Sequence, residues 1–311
     1  MAGQKFMTAI IPTDSSGWRL DKVLPLLFRP YSRTQLQDWL NEGRLTIDGV
    51  VPSKRQIVQG GESLSLWVPT ETPQQWEPQC LPLSVVYEDD HISVVDKPAG
   101  LVVHPGAGNP DATMANAILH RYPENQFLVR AGIVHRLDKG TTGLLVIARN
   151  ESARRKLIED LELRTVKRQY LALVYGNPIS GSTLDSPIGR HPKDRRRMAV
   201  SDRGKPAVTH FRLEKRYQFH TLVRVHLETG RTHQIRVHLA DAGFPIVGDP
   251  LYGGRLRVPR GASLELVTMF REFGRQALHA TELSVTHPES GQRLTWKSLL
   301  PNDFRQILEA L

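Results

Sequence analysis

The chain has 311 residues, of which 40% are hydrophobic and 23% charged, a composition typical of a folded protein rather than a disordered one. Its single cysteine, Cys80, excludes an internal disulfide and a cysteine-based zinc site. The longest apolar runs reach about six residues, against the roughly 20 that a membrane-spanning helix needs, so we expect a cytoplasmic protein without a membrane partner.

The formal net charge of +9 is unevenly distributed along the sequence. Residues 1–70 carry eight Lys and Arg against six Asp and Glu, whereas residues 71–131 carry three against eight. The basic excess therefore lies in residues 132–311, above all in residues 190–216, which hold ten basic and three acidic side chains. A charge run is often only a solvated surface, but its concentration in one loop-rich segment favours contact with phosphate groups.

Residues 17–69 predict a small domain of two helices followed by a hairpin sheet. The segment WRLDKVLPLLF predicts the first helix, because its apolar residues recur at helical spacing, namely Leu20, Val23, Leu24 and Leu27. Ser32 is the expected N-cap of the second helix, RTQLQDWLNEG, which Gly43 ends. Asp48-Gly49 in RLTIDGVV is a two-residue hairpin signal, and the alternating SLSLWV predicts a further strand.

The proline-rich residues 70–82 have no periodicity and predict a linker. In residues 83–311, β-prone runs such as HISVVDKPAG and YLALVYG alternate irregularly with helical patterns such as SARRKLIEDLELR. This mixture predicts an α+β domain with a mixed, mostly antiparallel sheet and flanking helices.

Two patterns that suggest ligand sites are incomplete. Gly106 and Gly108 follow a strand, but a dinucleotide site needs a third glycine where this chain has Asp111, which we interpret as a helix N-cap. His233 and His238 are five residues apart and so lie on different faces of a helix or strand. We therefore expect neither a bound metal nor a cofactor.

Four residues outside these patterns each have an ordinary structural interpretation. Asp138, in the loop HRLDKGTTG, is by itself a turn-former whose carboxylate caps nearby backbone N–H groups. Tyr170, in KRQYLALV, is by itself a core or rim residue of a strand. Arg236 belongs to a predicted helix that Thr232 caps and is by itself a surface residue, while Leu278 is by itself a packing residue.

Taken together, however, the segments that contain these residues resemble the RluA family of pseudouridine synthases. The resemblance covers residues 83–300 and includes VVDKPAGLVVHPGAG, GIVHRLDKGTTGLLVIA, KRQYLALV, LETGRTHQIRVHLADAGFPIVGDPLYGG and RQALHATELSVTHP. The combination of RRMAV, GKPAVTH and YGGRLRVPRGAS is most similar to the RluD branch. That branch modifies uridines in the helix 69 stem-loop of 23S ribosomal RNA.

The amino-terminal residues 17–69 resemble the S4 type of RNA-binding domain. The matching residues are Arg19-Leu20-Asp21, Ser32-Arg33 and Gly43-Arg44-Leu45, with Asp48 where the S4 pattern usually has Asn. An αL turn position tolerates that exchange. An unrelated small αβ domain is the alternative interpretation of the same turn and cap signals.

The resemblance implies a role for five side chains. Asp138 would be the catalytic anion, acting either as nucleophile or as the base that removes the ribose 2′ proton. Arg236 would keep that carboxylate ionised, and Tyr170 would stack on the uracil and assist removal of the C5 proton. Arg136 would enter the space that the everted nucleotide leaves, and Leu278 would complete an apolar wall. Gly140, where the family usually has Asp, would alter the rigidity of the loop.

The resemblance also implies ribosomal RNA of the large subunit, free or in an assembling particle, as the partner. Two alternatives stay open. One is a sister RluA-family synthase that acts on other ribosomal or transfer RNA uridines. The other is a non-catalytic RNA-binding factor in ribosome assembly, against which the presence of Asp138, Tyr170 and Arg236 argues.

Overall fold

The computed structural model describes residues 5–29, 31, 33–53, 55–68, 76–106, 108–258 and 261–311. The chain forms two compact units, Met1–Pro73 and Gln74–Leu311. Within the described ranges, no helix has both the length and the apolar character needed to cross a bilayer.

The first unit packs two helices, α1 (Leu20–Leu27) and α2 (Arg33–Asn41), with a small sheet. The sheet is antiparallel in the order β1-β3-β2 and consists of β1 (Lys5–Ile10), β2 (Leu45–Ile47) and β3 (Ser63–Val68). The apolar face of the first helix is confirmed, because its residues at helical spacing Leu20, Val23 and Leu24 are fully buried.

The hairpin turn after β2 is confirmed in detail. Asp48 and Gly49 both have positive φ, 47° and 82°, as a type I′ turn requires, and Ile47 and Val50 exchange backbone hydrogen bonds across it. Strand β1 was not predicted, because KFMTAI shows no alternation and its residues Phe6 and Ile10 are exposed. The predicted N-cap Ser32 lies outside the described residues. The S4 assignment of residues 17–69 stays a prediction.

The second unit is built on a sheet of nine strands within the described residues, in the order β4-β5-β6-β13-β7-β12-β11-β8, with β14 beside β13. These strands are β4 (Ser84–Glu88), β5 (Ile92–Lys97), β6 (Thr142–Ala148), β7 (Lys167–Tyr175), β8 (Ser182–Asp185), β11 (Val208–Arg216), β12 (His220–Leu227), β13 (Leu278–Thr286) and β14 (Arg293–Lys297). Strands β9 (Ile188–Arg190) and β10 (Met198–Val200) form a separate hairpin. Pairing is antiparallel except between β6 and β13, so the predicted mixed, mostly antiparallel α+β fold is confirmed.

Five α-helices flank this sheet in the described part of the unit: α3 (Met114–Arg121), α4 (Glu151–Glu162), α5 (Gln234–Asp241), α6 (Leu264–Glu272) and α7 (Asn302–Ala310). Strand β6 is buried along its whole length. Its residues Leu145 and Ile147 join the large core, whereas Leu144 and Val146 join a second core with α4. The loop that precedes β6 is therefore anchored to a strand covered on both faces.

Two predicted helix caps are wrong. Helix α3 begins after Thr113, which forms a capping box with Asn116, and not at Asp111. The backbone of Ala112, at φ 52°, redirects the chain between those positions. Helix α5 begins after His233, at φ 57°, and not after Thr232. In both cases a positive φ that the residue type does not signal moves the helix start by one or two residues.

The segment between the two predicted domains is partly described. Residues 69–75 lie outside the described residues. Beyond them, the Asn116 amide donates to the carbonyl of Glu77 (2.8 Å), and the Gln79 amide N–H donates to the carbonyl of Asn116 (3.0 Å). Residues 77–79 thus bind to α3 as part of the second unit.

Candidate active site

The candidate site is built around the loop that leads into β6. The amide N–H of Thr141 donates to the carbonyl of Asp138 (3.0 Å), which closes a tight turn around Gly140. The neighbouring carbonyl of Lys139 accepts from the Gly100 amide (2.9 Å) and from Nζ of Lys97 (3.2 Å). These bonds hold the Asp138 backbone between two strands, because Lys97 ends β5 and Thr142 begins β6.

The carboxylate of Asp138 is paired with Arg236, as the sequence resemblance implies. Nη1 of Arg236 donates to Oδ2 of Asp138 at 2.8 Å, across 98 residues of sequence. The other side of the guanidinium donates to Asp249, from Nε to Oδ2 (2.7 Å) and from Nη2 to Oδ1 (2.8 Å). The guanidinium therefore bridges two carboxylates, of which Asp249 is fully buried and Asp138 keeps 15% of its side chain exposed.

Electrostatics favour the charged form of Arg236. Burial by itself would lower the pKa of Arg236, but the hydrogen bond to Asp249 and the charges of Asp138 and Asp249 outweigh it, so the pKa lies above its usual value. Asp249 is itself oriented by the backbone N–H groups of Leu251 and Tyr252 (2.9 and 3.1 Å). Arg236 is thus a fixed cation that holds one oxygen of Asp138.

All five residues singled out from the sequence line one cavity of about 310 Å³: Arg136, Asp138, Tyr170, Arg236 and Leu278. Tyr170 comes from β7, Leu278 from β13 and Arg236 from α5, whereas Arg136 and Asp138 come from the loop before β6. Arg136 is exposed and also lines an adjoining cavity of about 710 Å³. The roles of these residues stay predictions, but the structure places the five side chains together.

Tyr170 and Leu278 supply the apolar side of the cavity. Both are nearly buried, and they lie on the adjacent strands β7 and β13. Burial raises the pKa of the Tyr170 hydroxyl, so the side chain is a neutral phenol at neutral pH. A neutral ring suits stacking on a base.

Three residues of the site were missed by the sequence analysis. Asp249 and Lys97 are buried charged residues that the site needs for support, and His233 places its Nε2 3.9 Å from Oδ1 of Asp138. Burial lowers the pKa of His233, whose Nδ1 is 2.9 Å from the Tyr252 hydroxyl. One sequence signal could have indicated this support. Lys97 lies in the apolar strand HISVVDK, and a buried charge needs specific partners.

Lys97 is fully buried, and its Nζ donates to the carbonyls of Pro98 (2.8 Å), Leu101 (2.9 Å) and Lys139 (3.2 Å). Burial lowers its pKa to about 7, while the charge of Asp138 opposes that change. Lys97 therefore supports the site from beneath the Asp138 loop rather than from within the cavity.

The Gly140 position is packed tightly. A methyl group there would lie 2.7 Å from Oε1 of Gln276 and 3.2 Å from Cβ of Arg275. Gln276 in turn donates to the Thr141 hydroxyl (2.8 Å), and Nη1 of Arg275 donates to the Gly140 carbonyl (3.3 Å). The absence of a side chain at position 140 lets the chain before β13 approach the Asp138 loop.

Comparisons with known proteins agree with this architecture. The sequence profile of the family described as RNA pseudouridylate synthase matches residues 91–241. Proteins named ribosomal large subunit pseudouridine synthase D from Xanthomonas campestris and Pseudomonas aeruginosa are 51% and 52% identical over 303 residues. Those matches cover 97% of this chain and 92% and 95% of the relatives.

A solved structure shows the same fold at lower identity. The human RNA pseudouridylate synthase domain containing 1 protein superposes with a TM-score of 0.54 at 26% identity, covering 71% of this chain and 84% of the human one. The family, fold class and enzyme class predicted from the sequence are thereby confirmed. The chain belongs to the RNA pseudouridylate synthase family and is an isomerase that forms pseudouridine in RNA.

Proposed function

We propose that this protein converts uridine to pseudouridine in 23S ribosomal RNA, in the helix 69 stem-loop. The names of the relatives, which are about half identical to this chain over nearly its full length, support a large-subunit substrate. Exposed basic side chains in the segment around the β9–β10 hairpin supply contacts for RNA phosphates, namely Lys193, Arg195, Arg196, Arg203 and Lys205.

The single observation that carries the mechanism is the Asp138–Arg236 pair on the cavity wall. Pseudouridine formation breaks the bond from uracil N1 to ribose C1′ and makes one from C5 to C1′. The C5 proton leaves and N1 gains a proton, so no atom is gained or lost overall. An anion close to the ribose suits this chemistry, either as nucleophile or as base toward the 2′ proton.

The geometry leaves Asp138 able to act. Arg236 holds Oδ2, whereas Oδ1 has no hydrogen-bond partner among the described residues and faces the cavity beside His233. Arg236 already satisfies Asp249, so the guanidinium keeps its place while the Asp138 carboxylate changes charge. Asp138 is the catalytic residue of this proposal, and Arg236 positions it.

The base reaches this cavity only after leaving its stack, which costs a few kcal/mol. Arg136 is exposed at the cavity and would fill the vacated space in the RNA. Tyr170 and Leu278 would hold the uracil between a neutral ring and an aliphatic side chain. Tyr170 would then lie near C5, where its neutral hydroxyl would accept the C5 proton while passing its own proton to solvent.

The test is to incubate the purified protein with unmodified 23S ribosomal RNA, a helix 69 stem-loop and a transfer RNA, and to map pseudouridine at nucleotide resolution. We expect new pseudouridines in helix 69. Turnover only at other uridines would identify a sister synthase instead. Tight RNA binding without turnover on any substrate would favour the non-catalytic assembly factor.

A further inference from the structure

On the wall of the active-site cavity lies Arg168, a buried cation that has no partner among the residues the structure describes. Three arginines are buried among the described residues: Arg168, Arg236 and Arg275. Arg236 is paired with Asp138 and Asp249, and Arg275 with Asp303. Arg168 is only 7% exposed, yet its guanidinium has no ion pair or hydrogen bond within the described part of the chain, and its Nε is buried without an acceptor.

The side chain of Arg168 faces the reaction space. Arg168 and Tyr170 are two residues apart on β7, so both project from the same face of the sheet, and both line the 310 Å³ cavity that contains Asp138. Nη1 lies against Gly230, where an added methyl group would come within 2.9 Å of it. The guanidinium therefore occupies a defined place between β7 and the loop before α5.

A second donor without an acceptor lies in the same cavity. Nε2 of His135 accepts the amide N–H of Val146 (3.1 Å), so the neutral ring carries its proton on Nδ1. That Nδ1 is buried and has no partner among the described residues. Burial and the positive charge of Arg168 lower the pKa of His135 to about 3, so the ring stays neutral. Two buried donors that lack acceptors indicate room for an acceptor from outside the protein.

We infer that Arg168 and the Nδ1–H of His135, which lines the same cavity, form a subsite for a backbone phosphate of the RNA next to the everted nucleotide. The inference rests on the proposed function, because it takes RNA as the ligand. A phosphate is favoured over a neutral uracil carbonyl, since an unpaired buried guanidinium needs an opposite charge and Asp138 is already held by Arg236. The arginine is thus a substrate-binding residue.

The first experiment measures RNA affinity in an Asp138→Asn background, where turnover does not obscure binding. Arg168→Met should weaken binding about tenfold and flatten the slope of log affinity against log salt by about 0.7 to 0.9, the value of one phosphate contact. Arg168→Lys should keep the slope and most of the affinity. The exposed Arg305→Met is the matched control and should change neither quantity.

The second experiment locates the phosphate. Stem-loops that carry a single neutral methylphosphonate, 5′ or 3′ to the modified uridine, are compared with normal RNA for their affinity. The comparison is made with the protein that keeps Arg168 and with the Arg168→Met protein, both in the Asp138→Asn background. If Arg168 contacts one of these phosphates, neutralising it should weaken binding to the arginine protein about tenfold and leave the Arg168→Met protein unaffected. If the methylphosphonate and the Arg168→Met substitution weaken RNA binding additively at both positions, the inference is overturned.

Stability separates a binding role from a structural one. Removing an unpaired buried charge should leave the Tm of Arg168→Met unchanged or raised. If Arg168→Met lowers the Tm and leaves RNA affinity unchanged, the phosphate subsite is overturned. The same holds if the substitution lowers kcat without weakening RNA binding. If the unsubstituted protein forms no pseudouridine in any RNA, the proposed function fails and this subsite with it. If the protein forms pseudouridine but Arg168→Met shows none of the expected effects on RNA binding, only the phosphate subsite is refuted.

Discussion

At the scale of single residues, Asp138 and Arg236 have separate roles. Asp138 supplies the carboxylate of the cavity, and Arg236 supplies the positive charge beside it. Arg236 sits at 4% exposure between two carboxylates and supplies a permanent positive charge. Asp138 keeps one oxygen bonded to that charge and the other turned to the cavity. A buried carboxylate without such a partner would take up a proton, and its nucleophilicity would be lost.

Asp138→Asn should reduce pseudouridine formation by about 1,000-fold or more, because an amide supplies neither a nucleophile nor a base. RNA affinity should change less than about threefold, since Asp138 contributes no phosphate contact. Single-turnover assays and binding titrations measure the two effects. Asp202→Asn, an exposed carboxylate in the basic segment, is the control and should keep full activity. Substantial turnover by Asp138→Asn would refute the mechanism.

Asp249→Asn tests the support of Arg236. The substitution breaks one side of a fully buried ion pair, which costs about 3 kcal/mol or more in stability. It also frees the guanidinium to shift away from Asp138, so kcat should fall while KM changes little. Urea denaturation and steady-state kinetics measure both. An unchanged kcat would show that Asp249 serves stability alone.

At the scale of elements, the site depends on close approach between the Asp138 loop and its neighbours. Strand β6 pairs in parallel with β13, and Gly143 lies directly against the backbone of Ala280. Arg275, just before β13, reaches the Gly140 carbonyl and also pairs with Asp303 at the start of α7. The last helix is in this way connected to the loop that carries Asp138.

Gly143→Ala should be strongly destabilising. A methyl group there would meet the carbonyl oxygen of Ala280 at 2.2 Å, and φ is +109°, which side chains other than glycine rarely adopt. We expect a loss of about 3 kcal/mol or more in the free energy of unfolding. Gly291, at φ +69° with open space around it, is the control, and Gly291→Ala should cost about 1 kcal/mol. If both substitutions lower the free energy of unfolding equally, the contact with Ala280 does not determine the cost of Gly143→Ala.

At the scale of the whole molecule, two histidines with lowered pKa values make stability depend on pH. Burial lowers the pKa of His135 to about 3 and that of His220 to about 4, from a usual value of 6.5. Below pH 6.5 the unfolded chain therefore binds protons that the folded chain does not. Stability is fully present above pH 6.5 and is lost as the pH falls toward these values.

Between pH 7 and pH 5, each of these histidines should lower the free energy of unfolding by about 2 kcal/mol. His220 stacks on Phe270 at 5.2 Å, so His220→Phe should retain packing and remove that share of the pH dependence. Urea denaturation at the two pH values measures the difference. The exposed His120→Gln should leave the dependence unchanged. A His220→Phe protein as acid-sensitive as the parent would contradict the argument.

Features that depend on neighbouring residues or on an extended pattern can be read from the amino-acid sequence alone. Helix α1 follows from the spacing of apolar residues, and the turn at Asp48-Gly49 follows from residues that tolerate positive φ. The α+β class follows from the mixture of strand and helix patterns. The motifs around Asp138, Tyr170 and Arg236 indicated the family, which the relatives confirm.

Which distant groups meet, and which buried charges have partners, is evident only in the folded chain. Arg236 joins Asp138 across 98 residues and Asp249 across 13, and no local pattern encodes a contact whose free energy arises only on burial. The start of α5 after His233 depends on the positive φ of that residue, which the spacing of apolar residues does not signal. For the same reason, the sequence showed Arg168 as one basic residue among many, and only the folded chain shows it buried with no counter-charge in the described part of the chain.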